Sequence, residues 1–381
     1  MKKVVHVIAR LNIGGPAIYA IILSSGLDKK RFSTTLICGA EGEKEGSMRD
    51  EAEKKGINLI FIPELGRELH PIKDIVTFLK LFWIIKKIKP DILHTHTAKA
   101  GTIGRLAAWL AGAGVIIHTF HGHVLHSYFS PAKTKLFILI EKLLARITDR
   151  IIVLTESQKR EILEFGIGRP ERFSVIPLGL NLDKFYDLEE KKGILRKELG
   201  LSLDTPLIGI VARLAQIKDH KTFFLSARLL LKKIAGVRFI VVGDGPLRSE
   251  LEELTRELGI KEKVFFLGFR EDLDVIYADL SLLVLSSQNE GLPTAIIEAQ
   301  ASCLPVVSTN VGGVSELIKD GETGYLVPAK NPEMLAEAME KVLKDQNLAK
   351  KMGEAGKENS KKYGAERLIR DIEALYELLL P

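Results

Sequence analysis

The sequence predicts an α/β protein with two doubly wound, mostly parallel sheet domains whose ligand-binding edges face one cleft. Two observations lead to this prediction. Short apolar strands alternate with helical segments through the first half of the chain, and the same alternation restarts at Leu207. The length of 381 residues is sufficient for two domains with separate hydrophobic cores.

The first domain is predicted to span residues 1–176, a linker 177–185 and the second domain 186–364. The regular alternation within each half requires right-handed crossovers between parallel strands. In the first half the predicted strands are 4–9, 34–38, 58–62, 91–95, 115–119 and 151–154, with helices 17–27, 46–55, 72–88, 101–111 and 132–147. In the second half the strands are 207–212, 239–242, 264–267, 281–285, 305–309 and 325–327, with helices 219–234, 246–258, 294–302, 314–319 and 332–345.

Bulk composition is typical of a globular protein, with 46% hydrophobic and 7% aromatic residues. The two cysteines, Cys38 and Cys303, lie in apolar contexts without pairing or metal-ligand spacing, so both are predicted to be buried thiols in a reducing compartment. No signal-peptide pattern opens the sequence, and no uncharged apolar stretch reaches 18 residues. We therefore expect a cytoplasmic protein, or one on the cytoplasmic face of the inner membrane.

The net charge of +6 hides an asymmetry between the two halves. Residues 1–180 hold 27 Lys and Arg against 17 Asp and Glu, whereas residues 181–381 hold 28 against 32. An excess of basic residues in one half indicates an anionic partner there. Nucleic acid is not expected, because the basic residues are dispersed and no basic motif interleaved with aromatic residues occurs. An anionic membrane surface or a lipid-linked pyrophosphate fits the pattern better.

Glu290 and Glu298 are the most informative residues of the chain. They follow a predicted strand, and Gly291 with Pro293 places Glu290 in a loop and Glu298 inside the next helix. In an open α/β sheet such a loop lies at the carboxyl edge, where ligands bind. The alternative is that both carboxylates only complement the dipole of the helix. The backbone amides expected to lie between them as anion donors are those of Gly291, Leu292 and Thr294.

The segment from Glu290 to Glu316 resembles the donor-nucleotide site of family 4 retaining glycosyltransferases. Further motifs of that family occur in the expected order and span almost the whole chain. They are Gly14-Gly15, His-Thr-His at 94–96, His-Thr-Phe-His-Gly-His at 118–123, Val-Ala-Arg-Leu at 211–214 followed by Lys218, Val-Val-Gly-Asp-Gly-Pro at 241–246 and Phe-Phe-Leu-Gly-Phe at 265–269. The resemblance implies two Rossmann-like domains of the GT-B architecture, with the final helix, about 365–381, returning to the first domain.

Three positions depart from the family pattern. Ala212 and Asp219 stand where glycine is common, and Cys303-Leu304 stands before Pro305 where the family usually has glycine. These departures concern loop geometry and leave the charged residues in place.

The resemblance also implies roles for the charged residues. Arg213 and Lys218 correspond to the basic pair that contacts the donor diphosphate, Glu298 to the residue that binds the ribose, and Glu290 to the one at the donor sugar or its oxocarbenium-like transition state. Two fixed cations stabilise a diphosphate leaving group without a metal. No Asp-x-Asp motif follows a strand to hold Mg²⁺, so no metal is expected. An ordinary surface pair is the alternative for the two cations.

Several glycines are predicted to bring backbone amides to the ligand. Gly312 and Gly313 open a helix after a strand and suit the same diphosphate, although a plain tight turn is the alternative. Gly268 belongs to the segment that the resemblance assigns to the nucleobase. Gly14 and Gly15 precede the first helix and suit a phosphate or sugar, but the spacing of the dinucleotide fingerprint is absent and NAD is not indicated.

Five of the nine histidines fall between positions 94 and 123. His121 aligns with a family histidine near the reacting carbon of the donor sugar, whereas His94 and His96 are expected to support the site from behind. A metal cluster is the alternative reading of so many histidines.

Acceptor-side residues are predicted at Lys99, Arg105, His123 and Tyr128. A solvated helix face is the alternative for Lys99 and Arg105. Tyr128, with Lys133 and Lys135 beyond it, is a candidate contact for a lipid acceptor. The amphipathic stretch 70–89 either docks on a membrane interface or packs on its sheet as a crossover helix.

Together with these residues, the resemblance implies a retaining, metal-independent glycosyltransferase without a cofactor. The donor would be a nucleotide sugar, with UDP favoured over GDP, held by the second domain. The acceptor would be a saccharide, in particular a polyprenyl-pyrophosphate-linked one, held by the first domain, as in the bacterial capsule, exopolysaccharide and O-antigen enzymes that the chain resembles. A sugar-nucleotide epimerase of the same architecture and a non-catalytic binding subunit are the alternatives.

Overall fold

The computed structural model describes residues 1–42, 46–66, 68–122 and 131–380, and the chain forms two compact units. The first comprises Met1–Leu180 and Ala365–Pro381, and the second comprises Asn181–Gly364. Each unit is built on one sheet whose strands pair in parallel and are connected through helices. The predicted α/β class with two doubly wound parallel sheets is therefore confirmed.

The first sheet has seven strands. They are β1 (Lys2–Ile8), β2 (Phe32–Cys38), β3 (Leu59–Phe61), β4 (Ile92–His96), β5 (Val115–Phe120), β6 (Arg150–Val153) and β7 (Phe173–Val175). Their order is β3-β2-β1-β4-β5-β6-β7, so the chain first winds outward from β1 and then returns to β4 and winds the other way. The point of reversal lies between β1 and β4, which pair with His6 opposite His94.

Helices cover both faces of this sheet. They are α1 (Gly15–Gly26), α2 (Arg49–Lys54), α3 (Pro71–Ile88), α4 (Ala98–Ala111), α5 (Pro131–Leu144) and α6 (Glu156–Glu164). The helices α1 and α2 share one core cluster with Ile8 and Leu36, whereas α3 and α4 share another with Val5 and Val7. Because successive residues of a strand point to opposite faces, α1 and α2 lie on one side of the sheet and α3 and α4 on the other.

The second sheet repeats the same winding with six strands. They are β8 (Leu207–Val211), β9 (Arg238–Val242), β10 (Val264–Gly268), β11 (Leu282–Leu285), β12 (Val306–Thr309) and β13 (Gly324–Val327). Their order is β10-β9-β8-β11-β12-β13, which places the reversal between β8 and β11. The helices are α7 (Asp183–Tyr186), α8 (Ile194–Glu198), α9 (His220–Leu231), α10 (Arg248–Glu257), α11 (Leu273–Asp279), α12 (Thr294–Ala301), α13 (Val314–Leu317), α14 (Pro332–Lys344) and α15 (Gln346–Ser360).

Helix α15 does not follow from the apolar pattern, because its sequence is mostly polar and contains Gly353 and Gly356. Both glycines lie where the helix approaches α12 closely. A Cβ at Gly353 would come within 2.0 Å of the Cys303 carbonyl oxygen, and one at Gly356 within 3.1 Å of Gln300 Cγ. The glycines therefore serve helix packing here and do not interrupt the helix.

The last helix, α16 (Ala365–Leu379), belongs to the first unit and packs against α1. Its buried residues include Leu368, Ile372 and Tyr376. Arg367 fixes its start by donating to the carbonyl oxygens of Pro177 and Leu178 at 2.9 and 2.8 Å.

The prediction of two buried thiols is right for Cys38 and wrong for Cys303, which is exposed. Cys303 lies just beyond the end of α12 with a left-handed φ of 61°. Its N–H donates to the Gln300 carbonyl oxygen and that of Leu304 to the Ala299 carbonyl oxygen, which is the hydrogen-bond pattern of a Schellman motif. Glycine is the usual residue there because it has no Cβ penalty, and the backbone turn directs the cysteine side chain outward.

None of the helices in the described ranges is long and apolar enough to cross a bilayer.

Candidate active site

The loops after β8 and β11 meet at the carboxyl edge of the second sheet. They leave the sheet at the point where the strand order reverses, which is where open α/β sheets bind ligands. The Gln288 N–H donates to the Ile217 carbonyl oxygen at 2.8 Å, and Ser286 Oγ donates to the Asp219 carbonyl oxygen at 2.9 Å. The two loops are thus held together as one surface.

Lys218 and Glu290, which the sequence predicted as site residues, are in direct contact on this surface. Lys218 Nζ lies 2.6 Å from Glu290 Oε1, and Ser287 Oγ donates to the same oxygen at 2.5 Å. The Glu290 side chain is 8% exposed and that of Lys218 is 24% exposed. The carboxylate is therefore held in place by two donors, while the cation remains accessible from solvent.

Arg213 follows β8 by two residues and is exposed. Its neighbour Leu214 donates its N–H to the Asp244 carbonyl oxygen at 3.0 Å, which fixes the backbone of the turn. Within the part of the chain that the structure describes, the Arg213 guanidinium has no ion-pair partner. Its five donors are accordingly available to an anion at this edge.

The conformation of Asp219 explains why family members often carry glycine at its position. It has a left-handed φ of 48° and caps α9, since its carboxylate accepts from the Thr222 N–H at 3.3 Å and from Thr222 Oγ1 at 2.9 Å. A short acidic side chain tolerates this backbone region and compensates for its cost with the cap.

Gly312 is required by the close approach of the loop after β12 to Glu290. Its φ is 52°, and a Cβ there would come within 1.9 Å of the Glu290 carbonyl oxygen. The Gly313 N–H donates to that same carbonyl oxygen at 3.2 Å. The Gly313 amide therefore helps to position Glu290 in this structure, and binding of the diphosphate by the amides of this segment stays a prediction. Both glycines contact the backbone carbonyl of Glu290 and so help to set the conformation of its loop.

Helix α12 begins directly after the loop that carries Glu290. Gly291, Leu292 and Pro293 form the approach, Thr294 is the first helical residue, and the first turn contains no acidic side chain. Pro293 occupies the capping position, and no side chain caps the helix. The first turn of the helix therefore carries neither a capping side chain nor an acidic side chain of its own, which suits an anion-binding start.

Glu298 lies within α12 and is 9% exposed. Tyr277, on α11, donates its hydroxyl to Glu298 Oε2 at 3.1 Å. Burial raises the pKa of the Glu298 carboxyl, and this effect outweighs the Tyr277 hydrogen bond and the charge of Lys184, which both lower the pKa. A buried carboxylate held by a single hydroxyl retains acceptor capacity for a further donor.

Gly268 ends β10 with a φ of 68°. Its carbonyl oxygen accepts the Gly243 N–H at 2.8 Å, and a Cβ at Gly243 would come within 2.2 Å of the Ala212 carbonyl oxygen. The turns after β8, β9 and β10 therefore pack backbone against backbone. Gly268 contributes to this packing at the edge that the resemblance assigns to the nucleobase.

In the first unit, histidines from three neighbouring strand ends form a hydrogen-bonded chain. His121, which is part-buried after β5, has Nε2 at 3.1 Å from His96 Nδ1, and His96 Nε2 is 3.1 Å from His6 Nδ1. The Tyr19 ring of α1 packs edge-on against His121 at 4.8 Å between ring centroids. The hydrogen bonds between these histidines fix the orientation of the His121 ring, as expected for a residue supported by His96.

His94 and His118 belong to the same buried group. His94 bonds Tyr376 and Thr119 at 2.7 and 2.6 Å, and His118 Nδ1 lies 2.8 Å from Thr95 Oγ1. Burial lowers the pKa of all five rings, to about 3 for His6 and His121. At neutral pH these imidazoles are therefore uncharged.

A metal-binding reading of this group can be tested against the geometry. Among the described residues, His6, His94 and His96 place their ring nitrogens within 4.8 Å of one another. Every ring nitrogen of these three except His6 Nε2 is already hydrogen-bonded within the protein. These ring nitrogens are thus engaged in hydrogen bonds, which favours a hydrogen-bonded row of histidines over a metal centre.

Gly14 precedes α1 with φ 158° and ψ 168°, a backbone region that is essentially restricted to glycine. Gly15 is the first residue of the helix, and no side chain caps it. The Ala17 and Ile18 N–H groups both donate to the Gly14 carbonyl oxygen at 3.1 Å. The turn therefore requires glycine at position 14, and its use by a ligand stays a prediction.

The assignment of Arg105 and Lys99 to the acceptor side is wrong. Arg105 is fully buried and makes a bidentate ion pair with Glu141 of α5 at 2.7 and 2.8 Å. The Lys99 side chain is 8% exposed and pairs with Asp74 of α3 at 2.6 Å. Both cations form ion pairs that join neighbouring helices. Neither a ligand contact nor a solvated helix face describes these positions.

The remaining acceptor-side predictions, His123 and Tyr128, lie outside the described residues.

The sequence did not reveal three residues that support the site. Ser287 bonds Glu290, Tyr277 bonds Glu298, and His6 ends the histidine chain. Ser287 precedes Glu290 by only three residues at a strand end, and His6 is the polar residue within the apolar run 4–8 of β1, so both carried a signal. Tyr277 lies on α11, a helix that was not predicted.

Two family models match the chain. One, described as Glycosyltransferase Family 4, matches residues 13–184, and the other, Glycosyl transferases group 1, matches residues 191–359. A UDP-Gal:alpha-D-GlcNAc-diphosphoundecaprenol alpha-1,3-galactosyltransferase of Escherichia coli is 31% identical over 325 residues, which cover 84% of this chain and 83% of that protein. The chain belongs to the family 4 glycosyltransferases.

Further proteins and solved structures that are similar to this family 4 glycosyltransferase agree with that assignment. The capsular polysaccharide biosynthesis glycosyltransferase CapM of Staphylococcus aureus is 26% identical, with 83% of this chain and 84% of CapM covered. The structure of Anabaena Alr3699/HepE in complex with UDP and glucose matches with a TM-score of 0.85 at 21% identity, covering 99% of this chain and all of that one. WaaG, a glycosyltransferase involved in lipopolysaccharide biosynthesis, matches with a TM-score of 0.76 at 17% identity, covering 98% and 99%. The predicted GT-B fold and glycosyltransferase activity are confirmed, and none of these similarities supports the epimerase alternative.

Proposed function

We propose that this family 4 glycosyltransferase moves a sugar from a UDP-sugar to a hydroxyl of a polyprenyl-pyrophosphate-linked saccharide, with retention at the anomeric carbon and without a metal. The observation that carries this proposal is the contact between Lys218 and Glu290 at the point where the second sheet reverses its strand order. Arg213 lies on the same loop as Lys218 and has no ion-pair partner among the described residues. This arrangement provides two cations for a diphosphate and a fixed carboxylate for a sugar.

The donor is assigned to the second unit. Arg213 and Lys218 bind the diphosphate, and the uncapped start of α12 adds backbone donors beside them. Glu298 accepts hydrogen bonds from the ribose hydroxyls, since Tyr277 occupies only one of its oxygens. Glu290 faces the donor sugar once the diphosphate has drawn Lys218 away from it.

The transfer step requires no covalent intermediate with the protein. The bond between C1 of the sugar and the diphosphate oxygen breaks, and its electron pair stays on UDP, where Arg213 and Lys218 stabilise the charge. The acceptor oxygen forms the new bond to C1 on the same face, and its proton passes to a phosphate oxygen of UDP. The role of Glu290 is to stabilise the positive charge that develops on the sugar.

The acceptor is assigned to the first unit, whose basic excess suits a pyrophosphate. The Escherichia coli relative is named for a diphosphoundecaprenol-linked acceptor, which supports a lipid-linked acceptor here. Such acceptors place the reaction in surface polysaccharide synthesis on the cytoplasmic face of a membrane. Metal independence is proposed because Arg213 and Lys218 provide two fixed cations for the charge on the diphosphate.

The test is product formation by the purified full chain with a panel of UDP- and GDP-sugars. The acceptor probe is α-D-GlcNAc-diphosphoundecaprenol, each reaction is run with and without EDTA, and the anomeric configuration of the product is read by NMR. One UDP-sugar should be consumed only when the acceptor is present, at a rate indifferent to EDTA, to give an anomer that retains the donor configuration.

Three outcomes would contradict the proposal. Turnover of a nucleotide sugar without acceptor would revive the epimerase alternative, and loss of activity with EDTA would overturn metal independence. An inverted anomer would overturn the retaining mechanism.

A further inference from the structure

Three histidines of the first unit use their ring nitrogens to bond one another and, among the described residues, nothing else. This histidine row consists of His6, His96 and His121, with His96 in the middle. The bonded nitrogens are 3.1 Å apart at both junctions, between His6 Nδ1 and His96 Nε2 and between His96 Nδ1 and His121 Nε2. The end nitrogens, His6 Nε2 and His121 Nδ1, are buried and have no hydrogen-bond partner in the described part of the chain.

The charge of the rings fixes the number of protons in the histidine row. Burial lowers the pKa of all three histidines, so at neutral pH each ring is uncharged and has one N–H and one lone pair. A junction needs one donor and one acceptor, and therefore takes one proton. Two of the three ring protons thus lie in the junctions, and the third lies at one of the two ends.

Two arrangements satisfy both junctions. In the first, every ring carries its proton on Nδ1, so that His6 donates to His96, His96 donates to His121, and the free N–H is at His121 Nδ1. In the second, every ring carries its proton on Nε2, both hydrogen bonds run the other way, and the free N–H is at His6 Nε2. The tautomer of His121 is therefore coupled to that of His6, although these two rings do not bond each other.

The neighbouring His94 is not coupled to the row by hydrogen bonds. Its ring lies 4.3 Å from that of His96 between centroids, but its two nitrogens bond the hydroxyls of Tyr376 and Thr119 at 2.7 and 2.6 Å. A hydroxyl can either donate or accept, so these partners fit both tautomers of His94. His94 is accordingly a buried ring of the same strand that serves as a control for the row.

The surroundings of the two ends select the first arrangement. His6 is fully buried within β1, so a free N–H at its Nε2 would stay without an acceptor among the described residues, and a buried N–H without an acceptor is rare in proteins. His121 is only part-buried and directly follows β5, next to the reversal point between β1 and β4. Ligands of open α/β sheets bind at this edge, where an N–H at His121 Nδ1 can obtain an acceptor.

We propose that His6 and His96 are positioning residues that fix His121 in its Nδ1–H tautomer, so that this imidazole donates a hydrogen bond to a hydroxyl oxygen of a bound saccharide. The lone pair of His121 is then occupied by His96, so the ring does not take the proton of the acceptor hydroxyl. The saccharide belongs to the donor or to the acceptor, which both present hydroxyl oxygens. This choice of ligand rests on the proposed function, whereas the tautomer does not.

Nitrogen-15 NMR of the full chain labelled at histidine tests the tautomer directly, because protonated and unprotonated nitrogens of a neutral imidazole resonate far apart. The spectra are recorded at about pH 8, above the ordinary histidine pKa of about 6.5. The exposed His70 is an internal reference for the opposite tautomer, since its Nδ1 accepts the Lys73 N–H at 3.4 Å and its proton must lie on Nε2. We expect Nδ1–H signals from His6, His96 and His121.

A matched pair of variants tests the coupling. His96→Leu separates His121 from the inner end of the row, so signals of both His121 tautomers should appear. His94→Leu removes an equally buried ring from the same strand, two residues away, and should leave His121 in the Nδ1–H form. A loss of packing alone would affect both variants alike. Circular dichroism and unchanged UDP binding establish that each variant is folded.

Two substitutions of His121 test the contact with the saccharide. The amide of His121→Asn lies near the place of Nδ1 and keeps a donor at the open end, whereas that of His121→Gln lies near the place of Nε2 and faces His96. His121→Gln should therefore lower kcat/KM for transfer about threefold to tenfold more than His121→Asn does. Both should bind UDP equally, because UDP has no transferred sugar. A rise in the KM for the UDP-sugar assigns the saccharide to the donor, and a rise in that for α-D-GlcNAc-diphosphoundecaprenol assigns it to the acceptor.

The proposal is overturned if any ring of the row carries its proton on Nε2 in the wild type, or if His94→Leu changes the His121 tautomer as much as His96→Leu does. Equal kcat/KM values for His121→Asn and His121→Gln would also overturn it. A protein that shows the expected tautomers but transfers no sugar contradicts the proposed function, whereas one that transfers sugar with His121 in the Nε2–H form contradicts this inference alone.

Discussion

Lys218 Nζ and Glu290 Oε1, which are 72 residues apart in sequence, lie 2.6 Å from each other at the carboxyl edge of the second sheet. Without a donor, the cation and the carboxylate neutralise each other. Under the proposed function, a diphosphate that arrives at this edge competes with Glu290 for the lysine, and its binding frees the carboxylate for the sugar. We therefore expect the pair to couple recognition of the diphosphate to activation of the site.

This competition leads to a prediction for Glu290→Gln. The variant should bind UDP at least as tightly as the wild type, because Lys218 loses its competing partner, whereas kcat should fall about a hundredfold or more since the charge on the sugar is no longer stabilised. Calorimetry and steady-state kinetics measure the two effects. Glu322→Gln, which removes the carboxylate of a surface pair with Lys319, is the matched control. A parallel loss of UDP affinity in Glu290→Gln would contradict the coupling.

Glu298 is expected to cost stability in return for binding. Burial raises the pKa of its carboxyl above 4.5, so between that value and the raised pKa the folded state holds more protons than the unfolded state. The free energy of unfolding then falls as pH rises through this window. Glu298→Gln should therefore raise the melting temperature near neutral pH, with the gain vanishing below the ordinary carboxyl pKa, and should weaken UDP binding about tenfold or more. A destabilised variant with unchanged UDP affinity would show that the carboxylate is structural.

The ion pair between Arg105 and Glu141 is expected to be structural. Arg105→Met would leave Glu141 buried without a partner and should lower the free energy of unfolding by about 3–5 kcal/mol in urea denaturation. Arg105→Met/Glu141→Leu should recover most of that loss, because no buried charge remains. The kcat/KM per folded molecule should be unchanged in the double variant. A selective rise in the KM for the acceptor would instead restore Arg105 to the acceptor site.

The buried histidines should make the first unit sensitive to acid. Since burial lowers the pKa of His6, His94, His96, His118 and His121, the unfolded state binds more protons below the ordinary histidine value of 6.5. Stability is therefore complete above that pH and falls below it, with each ring adding up to about 1.4 kcal/mol per pH unit. His6→Asn should remove one proton from the number taken up on unfolding, and so lower the slope of unfolding free energy against pH. Denaturation curves recorded at several pH values below 6.5 measure this slope. A slope that stays the same in the variant would show that His6 is charged in the folded state.

Much of the fold could be predicted because the buried strands of parallel sheets have short, nearly continuous apolar sequences. The elements that escaped prediction are polar or short. Helix α15 contains two glycines that only its packing against α12 explains, and α6 depends on the Thr155 side chain, which accepts from the Gln158 N–H. Neither feature appears in a hydrophobic pattern.

The site was predictable where a residue acts through its own position in a loop, as with Lys218 and Glu290. It was not predictable where a partner distant in sequence decides the outcome. Arg105 is removed from solvent by Glu141, and the Gly313 amide is taken by the Glu290 carbonyl oxygen. Asp219 and Cys303 are positions where the resemblance did help. The family commonly has glycine there, and the structure shows a left-handed backbone at both residues.

The central claim is that the diphosphate of a UDP-sugar binds to Arg213 and Lys218. The most direct measurement is calorimetric titration of UDP into the wild type, Arg213→Gln, Lys218→Gln and the control Lys221→Gln, an exposed lysine three residues beyond the site. We predict that each site variant loses about tenfold or more in affinity while the control binds like the wild type. If the wild type does not bind UDP, or if all three variants bind it equally, the donor site does not lie at this edge.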